Sequence, residues 1–223
     1  MHGGDWGAHV TSLLGFHRPD RVAGIHTTAI ALRDATAEQL TGEVAPDATA
    51  EERAFVSNEV RRWGHEGAYS QLHATKPAKL AYAMIDSPVG VAAWIIEAFH
   101  AWSDLRYTPF EDLYTPDQLL TEVMLYLVTD AFPTSTWIYG AKRNEEMTLP
   151  PGRRVEVPTA VAAFQDPVFP TPPRAVVEKS HRVVRYVDMP HGGHFPFYEA
   201  QDLLVDDLRS FLLQLRQAPA TPS

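Results

Sequence analysis

The sequence predicts an α/β protein, a parallel sheet flanked by helices and interrupted in mid-chain by a mostly helical cap. Three observations carry this reading. A Gly-Gly turn leads into an amphipathic stretch and then a short apolar run within residues 1–32; the long middle, 33–150, holds several helix starts and no strand signal; and residues 151–217 return to strand, loop and helix in alternation. The core is therefore assigned to residues 1–32 and 151–223, and the cap to residues 33–150.

In the first stretch, Gly3-Gly4 predicts a tight turn into a helix, and Val22–Ile25 a short buried strand. In the middle, Glu51–Gly64 is amphipathic and ends at a glycine. Ser87 stands where it can cap a helix that begins at Pro88 and runs to Trp102. Thr115-Pro-Asp-Gln118 has capping-box spacing ahead of a helix from Pro116 to Asp130. In the last stretch, Val155–Val157 and Pro158–Phe164 read as a strand with its lead-in turn, followed by a proline-rich loop. Arg182–Val187 reads as a second strand, Pro190–His194 as a glycine loop, and Tyr198–Leu215 as a closing helix with Leu204, Leu208, Phe211, Leu212 and Leu215 on one face. Residues 218–223 read as a frayed tail.

Composition narrows the functions. The 223 residues are 45% hydrophobic and 21% charged, which is ordinary globular chemistry. A net charge of −9 gives no positive field for nucleic acid or an anionic membrane. The absence of cysteine excludes disulfides, thiolate metal sites and a cysteine nucleophile. No apolar run is long enough to span a bilayer and no signal-peptide pattern is visible, so a cytoplasmic location is expected.

Gly3-Gly4-Asp5-Trp6-Gly7 is the most informative string. A sharp turn flanked by small residues can lift one side chain above a sheet edge, beside backbone N–H groups at a helix N-terminus. A carboxylate there suits attack on an sp³ carbon through an ester. From the residues alone, Asp5 as a mere helix cap stands beside Asp5 as a nucleophile. His191-Gly-Gly-His194 lies between a strand and the last helix, where a triad base belongs, and His194 is the stronger candidate of the two. Two histidines in one loop, without a third ligand, make an incomplete zinc site. Asp166 is the foremost candidate for the orienting acid because it follows a strand end, with Glu178 and Asp188 more remote. Tyr107, Phe110 and Trp137 suggest an aromatic-lined pocket.

On these strings the chain resembles a microsomal-type epoxide hydrolase of the α/β-hydrolase superfamily. The resemblance runs from Gly3–Gly7 and Arg18–His26 through Thr75-Lys-Pro77, Tyr82, Asp86-Ser-Pro-Val-Gly90, Ala92-Ala-Trp94, Trp102-Ser-Asp104 and Leu119-Leu-Thr121, to Val157-Pro-Thr159 and Gly192-Gly-His-Phe195. It implies that the chain is the C-terminal part of an α/β-hydrolase fold. It implies Asp5 as nucleophile, His194 as water-activating base, Tyr69 and Tyr139 as donors to the epoxide oxygen, and the Trp6 backbone N–H as an oxyanion donor. The substrate implied is a small-molecule epoxide with water, without cofactor or metal; a homodimer is left open. A haloalkane dehalogenase is the related enzyme reading, and an inactive remnant or interaction module the non-enzyme one. Two departures accompany the resemblance. The family's acid falls at Pro167, one residue after Asp166, and the family's preceding strands and His-Gly-x-Pro loop are not in this sequence. The strand that feeds the elbow is therefore expected to be missing.

Overall fold

The computed structural model describes residues 1–30, 44, 46, 48–145, 147–150 and 152–217. The expected boundaries between core and cap, at 32/33 and 150/151, and the expected tail at 218–223 involve residues outside this set.

Among the described residues, four strands form one parallel sheet in the order β1 (His2–Gly3), β2 (Ile25–Thr27), β3 (Val155–Ala163) and β4 (His181–Asp188). Contrary to the sequence expectation, a strand does feed the elbow. Two residues suffice because His2 and Gly3 pair with His26 and Thr27, and the Met1 carbonyl accepts the His26 N–H at 2.9 Å. The strand expected at Val22–Ile25 starts three residues later, since Pro19–Arg21 forms a turn of 3₁₀ helix that delays the chain's arrival at the sheet. β3 runs as one strand through Pro158, and the register against β4 shifts on either side of Thr159. Proline donates no ladder hydrogen bond, so an irregularity beside it is the expected accommodation.

Helix α1 (Asp5–His17) packs on the sheet through Ala8, against Val22, Ile25, Val155 and Val157. Elsewhere in the core, Phe164, Met189 and Leu204 pack with Ala162 and Ala200. A buried polar chain ties the elbow strand down. His2 Nδ1 meets His26 Nδ1 at 2.9 Å, and His26 Nε2 meets Asp207 at 3.0 Å. Asp207 in turn accepts from Arg185 Nε at 2.7 Å.

Between β2 and β3 the described residues are helical: α2 (Ala50–Glu66), α3 (Ala68–Thr75), α4 (Pro77–Met84), α5 (Pro88–Trp102), α6 (Phe110–Leu113), α7 (Pro116–Val128), α8 (Phe132–Ser135) and α9 (Trp137–Asn144). Local chemistry explains their starts. Ser87 accepts from the Gly90 N–H ahead of Pro88, and Thr115 with Gln118 forms a complete capping box, as the sequence indicates. Thr49 and Glu52 form another at the start of α2, which runs through Gly64 rather than ending there. Leu80, Val91, Val123 and Phe132 make one cap cluster, and Phe99, Tyr114 and Leu119 a second. After β3 come α10 (Arg174–Ser180), β4, and then two helices where one was expected: α11 (Pro196–Glu199) and α12 (Gln201–Gln217). The break between them frees the Glu199 carboxylate to turn back toward the 192–195 loop. Among the described residues, no helix is long and apolar enough to cross a membrane.

Candidate active site

The elbow is built by close approach. A Cβ on Gly3 would lie 2.3 Å from the Gly7 carbonyl oxygen, so only glycine lets β1 turn so tightly into α1. Asp5, at the turn, has φ 44°, a left-handed conformation unfavourable for a residue other than glycine. It does not cap α1: Gly4 holds the N-cap position, and no side chain satisfies the helix end. The carboxylate is instead half-exposed and points toward the cap. The Trp6 N–H lies in the first turn, among the donors that a helix cannot satisfy internally.

His194 faces this carboxylate. Its Nε2 lies 3.6 Å from Asp5 Oδ2, and its Nδ1 lies 2.7 Å from Asp166 Oδ2. Asp166 is fixed from behind, its Oδ1 accepting the backbone N–H groups of Val168 and Phe169 at 2.8 Å each. The one-residue offset from the family position thus does not keep Asp166 from His194. Of the remoter acids, Glu178 pairs with Arg174 on the surface and Asp188 is exposed at the end of β4. Trp102, Phe169 and Phe195 surround the imidazole with ring centroids 4.9–5.4 Å away. That burial pulls the His194 pKa down, but the hydrogen bond to Asp166 and the nearby Asp5 carboxylate outweigh it and raise it to about 10.

The cap supplies two phenols. Tyr69 on α3 and Tyr139 on α9 meet edge to face at 5.8 Å, and Tyr139 packs on the Trp6 ring at 5.1 Å. Burial raises both tyrosine pKa values most, with the Asp5 charge among the smaller contributions, so both hydroxyls keep their protons at neutral pH. Asp5, Trp6, Tyr69 and Tyr139 line two cavities at once. One, of about 460 Å³, has Trp94, Phe99, Trp102, Phe132 and Phe195 in its walls. The other, of about 130 Å³, holds His9, Lys142 and His194. The two phenols, the carboxylate and the imidazole therefore share one space. No cluster of metal-ligating side chains occurs among the described residues.

The sequence-based pocket lining needs correction. Tyr107 and Trp137 are 71% and 63% exposed, and Phe110 packs against Tyr114 and His100, away from the cavity. The aromatic walls come from α5, α8 and the 192–195 loop instead. His73, which no motif in the sequence marks, also lines this space. It lies one turn after Tyr69 on α3, edge-on to Tyr139 at 4.7 Å and stacked on Trp94 at 5.7 Å. The i, i+4 spacing from Tyr69 was the available signal. Burial pulls its pKa down to about 4, so this imidazole is neutral.

No protein-family profile matches this chain. Individual proteins do. Epoxide hydrolase 1 of Sus scrofa is 30% identical over 97% of the chain and 51% of its own length. Juvenile hormone epoxide hydrolase 1 of Ctenocephalides felis is 30% identical over 93% of the chain and 48% of its own length. The solved epoxide hydrolase of Aspergillus niger superposes with a TM-score of 0.74 at 25% identity, over 96% of this chain and 51% of that one. The chain is similar in sequence to these epoxide hydrolases and has the α/β-hydrolase fold. It spans about half the length of the curated epoxide hydrolases it matches.

Proposed function

We propose that this chain carries the reacting groups of an epoxide hydrolase that adds water to a small-molecule epoxide through an ester on Asp5. One observation supports this above the rest: the line Asp5–His194–Asp166 ends in the same space as two protonated phenols. A carboxylate facing hydrogen-bond donors is arranged for attack on a strained carbon–oxygen bond whose oxygen gains charge as it leaves.

In the first step an Asp5 oxygen bonds to an epoxide carbon, the ring C–O bond breaks, and a phenol of Tyr69 or Tyr139 gives its proton to the oxygen. The product is an alkyl ester on Asp5 and a tyrosinate. Esterification removes the Asp5 charge, one of the influences that hold the His194 pKa up, while burial, which lowers it, persists. The imidazolium can then release its proton to solvent, so the neutral imidazole that the second step requires is present once the ester exists. In the second step its Nε2 takes a proton from water, whose oxygen attacks the ester carbonyl, with the Trp6 N–H facing the developing oxyanion. Collapse breaks the acyl C–O bond and restores the Asp5 carboxylate. The two protons of the water end on the departing alkoxide and the tyrosinate, and the product is a vicinal diol. The apolar walls of the larger cavity suit an aryl or alkyl arm on the epoxide.

The test is turnover of styrene oxide by the chain, read as 1-phenylethane-1,2-diol. Diol that disappears in Asp5→Asn supports the proposal. Release of halide from 1-chlorohexane in place of diol formation favours a dehalogenase, and the absence of both products rejects enzymatic function for this chain.

A further inference from the structure

The loop that carries His194 is held by side chains outside the reacting line. Its four consecutive backbone N–H groups each have a fixed acceptor. Gly192 donates to Asp104 Oδ2 at 3.1 Å, Gly193 to Glu199 Oε2 at 2.7 Å, His194 to the Trp102 carbonyl at 2.9 Å, and Phe195 to Glu199 Oε1 at 2.9 Å. Asp104 and Trp102 belong to the cap, at and just beyond the end of α5; Glu199 ends α11. Glu199 joins the two sides, because its Oε2 also accepts the Asp104 N–H at 2.7 Å. Arg106 fixes the Asp104 carboxylate through Nε at 2.7 Å and a second nitrogen at 2.8 Å. Phe99 of α5 lies flat on Phe195 at 4.2 Å, so apolar stacking reinforces the same joint. The fit leaves no slack. A Cβ on Gly193 would lie 2.6 Å from the Asp104 nitrogen and 2.7 Å from the Trp102 oxygen.

We infer that Asp104 and Glu199 are positioning residues for the His194 loop, clamping it to the cap so that the base serves the second chemical step. This rests on the two-step reading above. Asp5, Tyr69 and Tyr139, which open the ring, lie outside the 192–195 loop, whereas the water-activating Nε2 depends on where that loop sits. Loosening the clamp therefore slows ester breakdown and leaves ring opening at its original rate. A displacement of the order of 1 Å can cost about a hundredfold in rate. A residue needed only for general stability would slow both steps together.

Two variants test the clamp. In Glu199→Gln, an amide nitrogen faces a backbone N–H whichever way the side chain is turned, because both carboxylate oxygens accept from backbone in the parent. Asp104→Asn weakens the Gly192 and Arg106 contacts from the cap side. Each is mixed with styrene oxide and followed by quenched-flow intact mass. The expected result is an unchanged rate of adduct formation and an about 10- to 100-fold slower rate of adduct loss, so that the Asp5 ester accumulates. Equal slowing of both steps, or no change in adduct loss, overturns the inference. A second readout needs no turnover: the NMR titration of the His194 imidazole, compared between the parent and each folded variant. A loosened loop moves the midpoint downward, away from Asp5 and Asp166, and an unmoved midpoint overturns the clamp. If the parent forms no adduct and no diol, the epoxide hydrolase reading falls and the titration alone decides the clamp.

Discussion

His194 Nε2 stands 3.6 Å from Asp5 Oδ2, close enough for an ion pair and too far for a good hydrogen bond. The opposite ring nitrogen is held much more firmly, at 2.7 Å from Asp166. The imidazole is thus anchored on one side and only electrostatically engaged on the other. In the proposed mechanism that asymmetry suits an imidazole that first tolerates the Asp5 carboxylate and then acts on water beside the Asp5 ester.

The ion pair has a pH signature. A His194 pKa raised from 6.5 to about 10 means the charged imidazole stabilises the folded state. The contribution is fully present below pH 6.5 and is lost as pH rises through about 10. Thermal melts of the parent and of His194→Gln, compared across this range, should converge at the alkaline end. Asp5→Asn removes one of the two neighbouring carboxylates, so its His194 midpoint by NMR should lie below that of the parent.

The anchor on the other side is expected to matter for one step. Asp166→Asn leaves the line-up of Asp5 with the phenols in place but removes the charge that orients and stabilises the imidazolium. In triads of this kind such a change costs about four orders of magnitude. Single-turnover kinetics should show the loss in ester breakdown, with adduct formation far less affected.

Removal of one phenol should leave the other to stabilise the leaving oxygen. We expect Tyr69→Phe and Tyr139→Phe each to slow ring opening about tenfold, and the pair together by about 10²-fold or more, within the usual span for a proton donor. Their melting temperatures should stay close to that of the parent, because only hydroxyl groups are lost. A double variant that opens styrene oxide at the parental rate contradicts the assigned role.

The closing helix offers a stability test away from the site. Phe211 is 1% exposed, and the Gly24 backbone sits close against its ring. Phe211→Ala should cost about 3–5 kcal/mol in urea denaturation. Leu212, which the sequence pattern places on the same face as Phe211, instead lies on the outer side at 46% exposure, so the same change there should cost within about 0.5 kcal/mol.

What the sequence disclosed follows the range of the forces involved. Ser87 before Pro88 and Thr115 with Gln118 were legible because capping acts within one turn. The glycine-flanked Asp5 and the Gly-Gly-His-Phe loop were legible because sharp turns leave compositional marks. Tyr107, Phe110 and Trp137 misled because pocket lining depends on which face of each cap element meets the core, and local pattern does not specify that. The clamp was equally hidden. Asp104 and Gly192 are 88 residues apart, and Glu199 and Asp104 are 95 apart. A carboxylate that accepts backbone N–H groups at such separations has no sequence spacing to announce it. The feeding strand leaves no mark in the sequence because two residues are too short for any periodicity.

The proposed mechanism stands or falls on Asp5 as a nucleophile that forms a covalent ester. The most direct measurement is the intact mass of His194→Gln after mixing with styrene oxide, since this variant lacks the base for the second step. A nucleophilic Asp5 gives a gain of one substrate mass that is absent when Asp5→Asn is added. No gain in His194→Gln, or an equal gain in the double variant, would contradict it.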